Sequence, residues 1–552
     1  MNPPVCRFAS LLAALLLPCA CLHAGAPTAQ DLDAALSRGD FSQYQTGVTA
    51  WLNERAAACA GEKAAADFNA LVAEPAFASA LNHRELLART GAKSVGDFAK
   101  ADPSNKEFLA WLLKNPAALE AFLGSDAPMG KKYAESLAVW KSIWQADPDS
   151  RDSLYLKLAI ATSLEHPVPG KGWGGMGPIE PLARYQHFKA AHRKHELSPS
   201  FDTLTVWELR MVVDCQACDG DMAWAREMLR TFRPDLLERP VRMVSEVQYA
   251  TADYGPEPRG FAKVLEVGGK CGPRAWFGRM ICQAFGIPSV RATQPGHAAV
   301  GMKRPWDNQW VTVYGRGWDK TRTRDGEKGT DFTAEANARA HTDNYTAAIR
   351  LQWLASALTN AEQSKVVSTL AKTMLLQMPK GKVAAPELQA EAESDESSEP
   401  ATADAVQAGS KAAGVAEAPI EVAPGVLHFE AESCSSKSEA SVHNCTAGGK
   451  QVNIPKRSKN SWVDYTVNAP EAGTYLIQVH VATPYSKQVI EVKSGTGIET
   501  LGTLHLPNTR GLWQTTDPVE IQLNKGVQNV RLFAPFQRGL AIRWFELKRK
   551  PA

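Results

Sequence analysis

Cysteine and histidine can supply a nucleophile and its base near neutral pH, and this chain places one of each at opposite ends of a single stretch. The stretch opens with Gly269-Lys270-Cys271-Gly272-Pro273, runs through Gly286-Ile287-Pro288 and closes on Gly296-His297-Ala298. Pro273 suits the first turn of a helix and Gly286 the position just past its end, so a helix is predicted from Cys271 to Phe285. The helix dipole and free N–H groups at that end would favour a thiolate and could hold an oxyanion. Trp276, Phe277, Met280, Ile281, Ala284 and Phe285 make this helix apolar enough to be central to its domain, and Cys282 reads as packed core.

Past Gly286 the period changes from helical to alternating. Ser289 to Thr293, His297 to Met302 and Gln309 to Tyr314 read as strands, with Pro305-Trp306-Asp307-Asn308 turning between the last two. The chemistry would thus be held between a helix N-terminus and an antiparallel sheet.

The whole chain has 552 residues, enough for about three domains. With 61 basic and 59 acidic residues the net charge is +2, and no basic patch argues for nucleic acid. Residues 1–26 read as a signal peptide: Arg7 supplies the charge, Phe8 to Leu17 the apolar core, and Ala24 and Ala26 the cleavage positions. That run is too short for a membrane span, and Leu17-Pro18-Cys19-Ala20 matches a lipobox poorly, so a periplasmic or secreted product is expected without a lipid anchor at Cys21.

Seven of the ten cysteines would remain after export, an odd number in an oxidising compartment. Cys434 and Cys445 share a small polar segment and are expected to form a disulfide, worth about 3 kcal/mol in the chain-entropy model. Cys215-Gln216-Ala217-Cys218 could be a redox pair, a local disulfide or half a zinc site, with no second pair at ligand spacing to complete the last.

Residues 27–200 are helical in pattern, interrupted by the glycine-rich loop 170–177, in which Trp173 could serve a lid or an irregular connection. Residues 201–378 contain the Cys/His stretch. Residues 379–425, rich in Ala, Glu, Ser and Pro, read as a disordered linker. Residues 426–552 are all-β, with strands separated by turns about every ten positions, the pattern of a sandwich.

Helix followed by antiparallel sheet, Cys leading the one and His a strand of the other, resembles the transglutaminase-like superfamily of papain-like fold. Gly-Lys-Cys-Gly-Pro-Arg-Ala-Trp-Phe is similar to the nucleophile motif of its peptide N-glycanase and bacterial branches, and Ala-Phe-Gly-Ile-Pro-Ser to its helix exit. The resemblance implies an α+β core with Cys271 as nucleophile and His297 as general base and acid. It also implies an orienting Asp at the end of the following strand, in a Trp-Val-x-Val-Asp pattern. Here Trp310-Val311-Thr312-Val313 is followed by Tyr314, a phenol that can accept a hydrogen bond but is uncharged near neutral pH. Asp307 and Asp319 are nearby in sequence but would need unusual geometry to substitute.

Past the linker, Phe429-Glu430-Ala431-Glu432, the Trp462 to Tyr475 segment and Ala541-Ile542-Arg543-Trp544-Phe545-Glu546-Leu547 resemble a family 6 carbohydrate-binding module, a jelly roll. The family's sugar-binding Asn and calcium-binding Asp fall here at Ala541 and Arg543. Arg543 is expected to pair with Glu430 or Glu432 in place of a structural calcium, so no cofactor is expected. Trp513 falls where the family offers an aromatic platform to a sugar; it and Trp544 read equally as ligand contacts or packing, whereas Trp462 and Tyr465 read as core. With Arg543 they are the candidate carbohydrate-binding residues.

The resulting expectation is a secreted thiol hydrolase or acyltransferase acting on an amide bond, with a polysaccharide or glycoprotein as partner and a peptide or peptidoglycan stem as substrate. Its competitor is a non-catalytic glycan-binding or scaffold protein with a degenerate core.

Overall fold

The computed structural model describes residues 25–255, 260–379, 384–388, 420–423, 425–455, 461–495, 497–535 and 538–551. The signal-peptide expectation and most of the linker expectation therefore lie outside the described residues. The chain forms two compact units, one of residues 1–116 with 346–376 and the other of 117–345 with 377–552.

The first unit is helical. Its helices start where local chemistry supplies the missing partners of a helix end: Thr28 and Asp31 form a reciprocal capping box, and Asp102 caps a helix whose first residue is Pro103. The late helical segment returns to this unit through Asn53, which donates to the Ala357 carbonyl at 3.0 Å, and Arg84, which reaches the Ser356 hydroxyl at 2.7 Å.

The second unit has a mixed core and a β-sandwich. In the core, helices α1 (Val206–Val213), α2 (Asp219–Phe232), α3 (Phe261–Val267) and α4 (Cys271–Ala284) precede an antiparallel sheet of β1 (Ser289–Gln294), β2 (His297–Lys303) and β3 (Trp310–Val313) in that order. The β1–β2 turn is Pro295-Gly296, with Gly296 at φ +70°, a conformation that suits glycine in the tight turn. The register Gln294 to His297 makes the histidine the first residue of its strand. α4 packs on this sheet and buries Phe277, Met280, Ile281 and Cys282; burial pushes the Cys282 thiol up to about 12.

Some buried polar groups of this core are paired, among them Arg226 with Glu196, whereas Trp276 Nε1 and Gln283 Oε1 have no hydrogen-bond partner among the described residues. His187 is held neutral: burial, then the charges of Arg226 and Arg184, push its pKa down to about 3, and Arg226 donates to its Nε2 at 3.1 Å. Below the usual 6.5 the unfolded chain takes up a proton that the native state refuses, so stability is full above that pH and falls as the pH drops from 6.5 toward 3. His187→Gln is expected to flatten this part of the acid-unfolding curve, measured by urea midpoints at pH 7 and 4.5; an unchanged slope would contradict it.

The sandwich packs a sheet that contains β4 (Val426–Glu430), β5 (Lys450–Ile454), β6 (Gly473–Ala482) and β7 (Leu540–Arg549) against a second sheet built on Ser461–Ala469, Gln488–Ser494, Thr500–Leu506 and Gly526–Ala534. Alternate residues of both sheets, among them Tyr465, Ile477, Val492, Leu532 and Phe545, fill the space between them. The chain is thus helical at its N-terminal end and a β-sandwich at its C-terminal end, as its patterns predict.

The sandwich is docked on the core, not merely tethered. Thr446, Gln451 and Asn453 donate to the carbonyls of Arg230, Thr231 and Phe232 at 3.1, 3.0 and 2.8 Å, satisfying the C-terminal end of α2. The buried Tyr485 hydroxyl donates to the Glu246 carbonyl at 2.8 Å, and Trp224 Nε1 to the Arg510 carbonyl at 3.1 Å. Even the described piece of the expected linker is held: Glu387 pairs alongside Val313 of β3, its N–H donating to the Thr312 carbonyl. Composition marks such a segment as unable to build its own core, but it can still add to the open edge of a sheet.

The expected disulfide is corrected. Cys434 and Cys445 are both free thiols and form no disulfide: Cys434 packs against the sandwich core, while Cys445 opens a turn in which its N–H donates to the Gly449 carbonyl. Cys215 and Cys218 are also free. Cys215 is buried with its sulfur 3.4 Å from that of Met280, and its thiol is pushed up to about 11 by burial, whereas Cys218 caps α2 by accepting from the Asp221 N–H.

Candidate functional site

Cys271 opens α4, and its flanks leave the backbone there accessible. Lys270 makes no side-chain cap, Pro273 has no N–H, and the first α-helical bond runs from the Arg274 N–H to the Lys270 carbonyl. The N–H groups of Cys271 and Gly272 therefore precede the hydrogen-bonded ladder, and a Cβ placed on Gly272 would meet no described atom within 4 Å. His297 enters from β2. Cys271, Arg274, His297 and Tyr314 line a common cavity of about 30 Å³, walled by Val244, Tyr249 and small apolar residues of β2.

His297 Nε2 lies 2.7 Å from the backbone oxygen of Tyr314. A carbonyl can only accept, so Nε2 carries the hydrogen and Nδ1 keeps its lone pair. The hydrogen bond at position 314 is thus made by the backbone carbonyl of Tyr314. Tyr314 has φ +56°, in the left-handed region, which turns its carbonyl out of the strand direction.

The strain at Tyr314 is supported on three sides. Its N–H donates to the Glu387 carbonyl at 3.1 Å, and Glu387 is itself ion-paired with Arg304 at 2.8 Å. Gln294, buried, accepts from the Arg316 N–H at 2.8 Å and donates to the Arg316 carbonyl at 2.7 Å. Gly315 must be glycine, since a Cβ there would come 2.4 Å from that of Ala299. Gln294, Glu387 and Arg274 were not singled out by pattern. Glu387 is hidden in a stretch that composition assigns to a linker, and a lone Gln or Arg carries no spacing signal.

Trp173 of the glycine-rich loop is stacked on Trp276 of α4, with centroids 4.0 Å apart at 24°. Its backbone N–H donates to the Gln216 carbonyl at 2.9 Å, which anchors the loop.

In the sandwich the three candidate carbohydrate-binding residues converge on His480. Its ring stacks on Trp544 at 4.6 Å and 4°, and on Trp513 at 5.5 Å and 19°, while burial and then the Arg543 charge lower its pKa. Trp513 and Trp544 are each part-buried, and His428 tilts against Trp544 at 5.3 Å. The result is a stack of part-buried rings with His480 between the two indoles, and Trp513 Nε1 is buried without a hydrogen-bond partner among the described residues. Arg543 does not pair with Glu430 or Glu432. It donates to the Ala447 carbonyl at 2.9 Å, because Glu430 is already paired with His428 and Glu432 with Lys450, at 3.1 and 3.3 Å. Tyr465 is core, its hydroxyl donating to the Ala431 carbonyl.

With this geometry in view, the C-terminal assignment is decided by a family model. Residues 430–549 match the carbohydrate binding module family 6. Solved structures similar to this part of the chain include the C-terminal CBM6 of the laminarinase LamC from Zobellia galactanivorans, 27% identical over 22% of this chain and 99% of that one, TM-score 0.21. A CBM6 of Cellvibrio mixtus lichenase 5A in complex with cellotriose is 24% identical over 22% and 97%, TM-score 0.20. A β-1,3-glucan-binding CBM6 from Bacillus halodurans is 23% identical over 22% and 94%, TM-score 0.20. No curated protein matches the chain. The family 6 match thus covers nearly the whole sandwich, residues 430–549.

Proposed function

We propose that the protein is an exported thiol acyl hydrolase or acyltransferase of transglutaminase-like type, held on a glycan surface by its family 6 module. The observation that carries the reading is the shared cavity of Cys271 and His297, with His297 held in one tautomer by the Tyr314 carbonyl.

In the reaction the Cys271 thiol gives its proton to His297 Nδ1, and the sulfur attacks the carbonyl carbon of an amide. A C–S bond forms and the carbonyl π pair moves to oxygen, where the Cys271 and Gly272 N–H groups meet the charge. Collapse breaks the C–N bond, and the amine leaves with the proton from His297. Water or an acceptor amine, deprotonated by His297, then attacks the thioester and frees Cys271. A backbone carbonyl orients the imidazole but brings no full charge, so imidazolium is stabilised less than by a carboxylate.

Alkylation tests this. Iodoacetamide at mildly acid pH is expected to label Cys271 ahead of the buried Cys215 and Cys282, read by peptide mass spectrometry; an inert Cys271 would leave the competing reading, a glycan-binding protein with a silent core. The module is tested on the full chain, since it is docked on the core. Trp513→Ala is expected to weaken binding to a glycan-array hit, and unchanged affinity would place the sugar elsewhere.

A further inference from the structure

We infer that a second glycan-binding site lies in the seam between the core and the sandwich, and that it takes a neutral saccharide unit through Asp221, Lys263 and Arg510. The inference goes beyond the module reading above, since it needs neither the ring stack at Trp513 nor the thiol.

A cavity of about 410 Å³ opens in that seam. Asp221 of α2 with Lys263 and Glu266 of α3 form its core wall, and Pro484, Asn508 and Arg510 its sandwich wall. The volume falls in the range of small-molecule sites, roughly 300–1,000 Å³, and seams between packed bodies are where such sites gather. It holds a sugar ring, which the thiol cavity of about 30 Å³ does not.

Both walls are fixed by the docked structure. Asp221 is only 9% exposed; its Oδ2 accepts from the Phe261 N–H at 2.9 Å, and its other oxygen has no hydrogen-bond partner among the described residues. Gly260 makes room for this carboxylate, because a Cβ there would come 2.6 Å from Oδ2. Burial raises the Asp221 pKa, and the Phe261 N–H and then the Arg510 charge pull it back. Arg510 is clasped to the core: its carbonyl accepts from Trp224 Nε1 at 3.1 Å, and its guanidinium lies 5.4 Å from the centre of that indole. Asn508 Oδ1 accepts from the Arg510 N–H at 2.9 Å, and Glu266 accepts from the Ser486 hydroxyl at 2.6 Å.

Charge and hydrogen-bonding capacity then choose the ligand. Among the described residues lining the cavity, two carboxyl groups face two cations, so a charged ligand gains from one pair what it loses to the other. A sugar hydroxyl is donor and acceptor at once and is satisfied only where both kinds of partner stand close. Here Asp221 and Glu266 accept, while Lys263, Asn508 and Arg510 donate. Met176 and Pro484 add apolar surface for the C–H edges of a ring.

Acetylation of Lys263 in the full chain reads the site directly. The protein is treated with an N-hydroxysuccinimide ester and followed by peptide mass spectrometry, with and without cellotriose, laminaritriose, xylotriose or chitotriose at about 10 mM, above a millimolar Kd. At least one of these neutral trimers is expected to slow acetylation of Lys263 by about fivefold, in the wild type and in Trp513→Ala alike. Asp221→Asn keeps the size of the side chain and an acceptor for the Phe261 N–H; it should raise the trimer concentration for half protection about tenfold, the cost of a lost charge-assisted bond. Protection by a galacturonic acid trimer alone would overturn the neutral class. No protection by any trimer, or protection that vanishes in Trp513→Ala, would overturn the site and leave the module reading standing. Protection of Lys263 together with a glycan-array affinity unchanged in Trp513→Ala would keep the site and remove the sugar from the ring stack.

Discussion

Cys271→Ala is expected to remove both the selective iodoacetamide label and thiol-dependent amide cleavage, lowering the rate by about 10⁴-fold or more while the fold is kept. The size follows from the mechanism: without sulfur there is no acyl intermediate, and the residual rate comes only from what the helix N–H groups and substrate positioning supply. The fold should be kept because Cys271 is half-buried at the first turn of α4, where its side chain faces a cavity and not the packed core. His297→Ala should cost nearly as much, and the double variant little more than either single one, since the two groups act as a unit. Turnover of an amide substrate and mass-spectrometric labelling check this; a Cys271→Ala protein that still turns over would show the chemistry to lie elsewhere.

The largest expected stability effect lies at Glu165. This carboxylate, 6% exposed, accepts from Arg210 at 2.7 Å and from Arg324 at 2.9 Å, while Arg210 also donates to the carbonyls of Ser125 and Ala127. Burial alone would raise its pKa, but the two guanidinium groups outweigh that and hold it below the usual carboxylate range. Glu165→Gln leaves Arg210 as a buried, uncompensated charge, and loss of one partner from such a pair costs about 3–5 kcal/mol. Urea unfolding followed by tryptophan fluorescence should show the lower midpoint. Pairing the change with Arg210→Met should recover part of the loss, because removing the stranded cation removes the desolvation penalty; a double variant no better than the single one would contradict this account.

Much of the site's outline was legible in residue order. A proline early and a glycine after Phe285 bracket α4, and a Pro-Gly turn before His297 fixes the start of β2; these are local effects of φ restriction and the missing proline N–H. The sandwich was legible for a similar reason, since alternating burial writes a period of two into Ser461–Ala469 and Gly473–Ala482. What failed were statements about which particular groups meet. The Cys434–Cys445 bond and the Arg543 salt bridge each required knowing which groups meet, and composition does not carry that information.

Sequence alone therefore determined that a cysteine begins a helix, that a histidine begins a strand, and that an all-β sandwich follows. Tertiary structure decided that the imidazole is oriented by the Tyr314 carbonyl, that Glu387 and Gln294 hold that carbonyl in place, and that the module is docked on α2. The reason is physical: helix starts, turns and strand alternation are set by neighbours along the chain, whereas a backbone carbonyl is present at every residue and gains a role only when folding aims it.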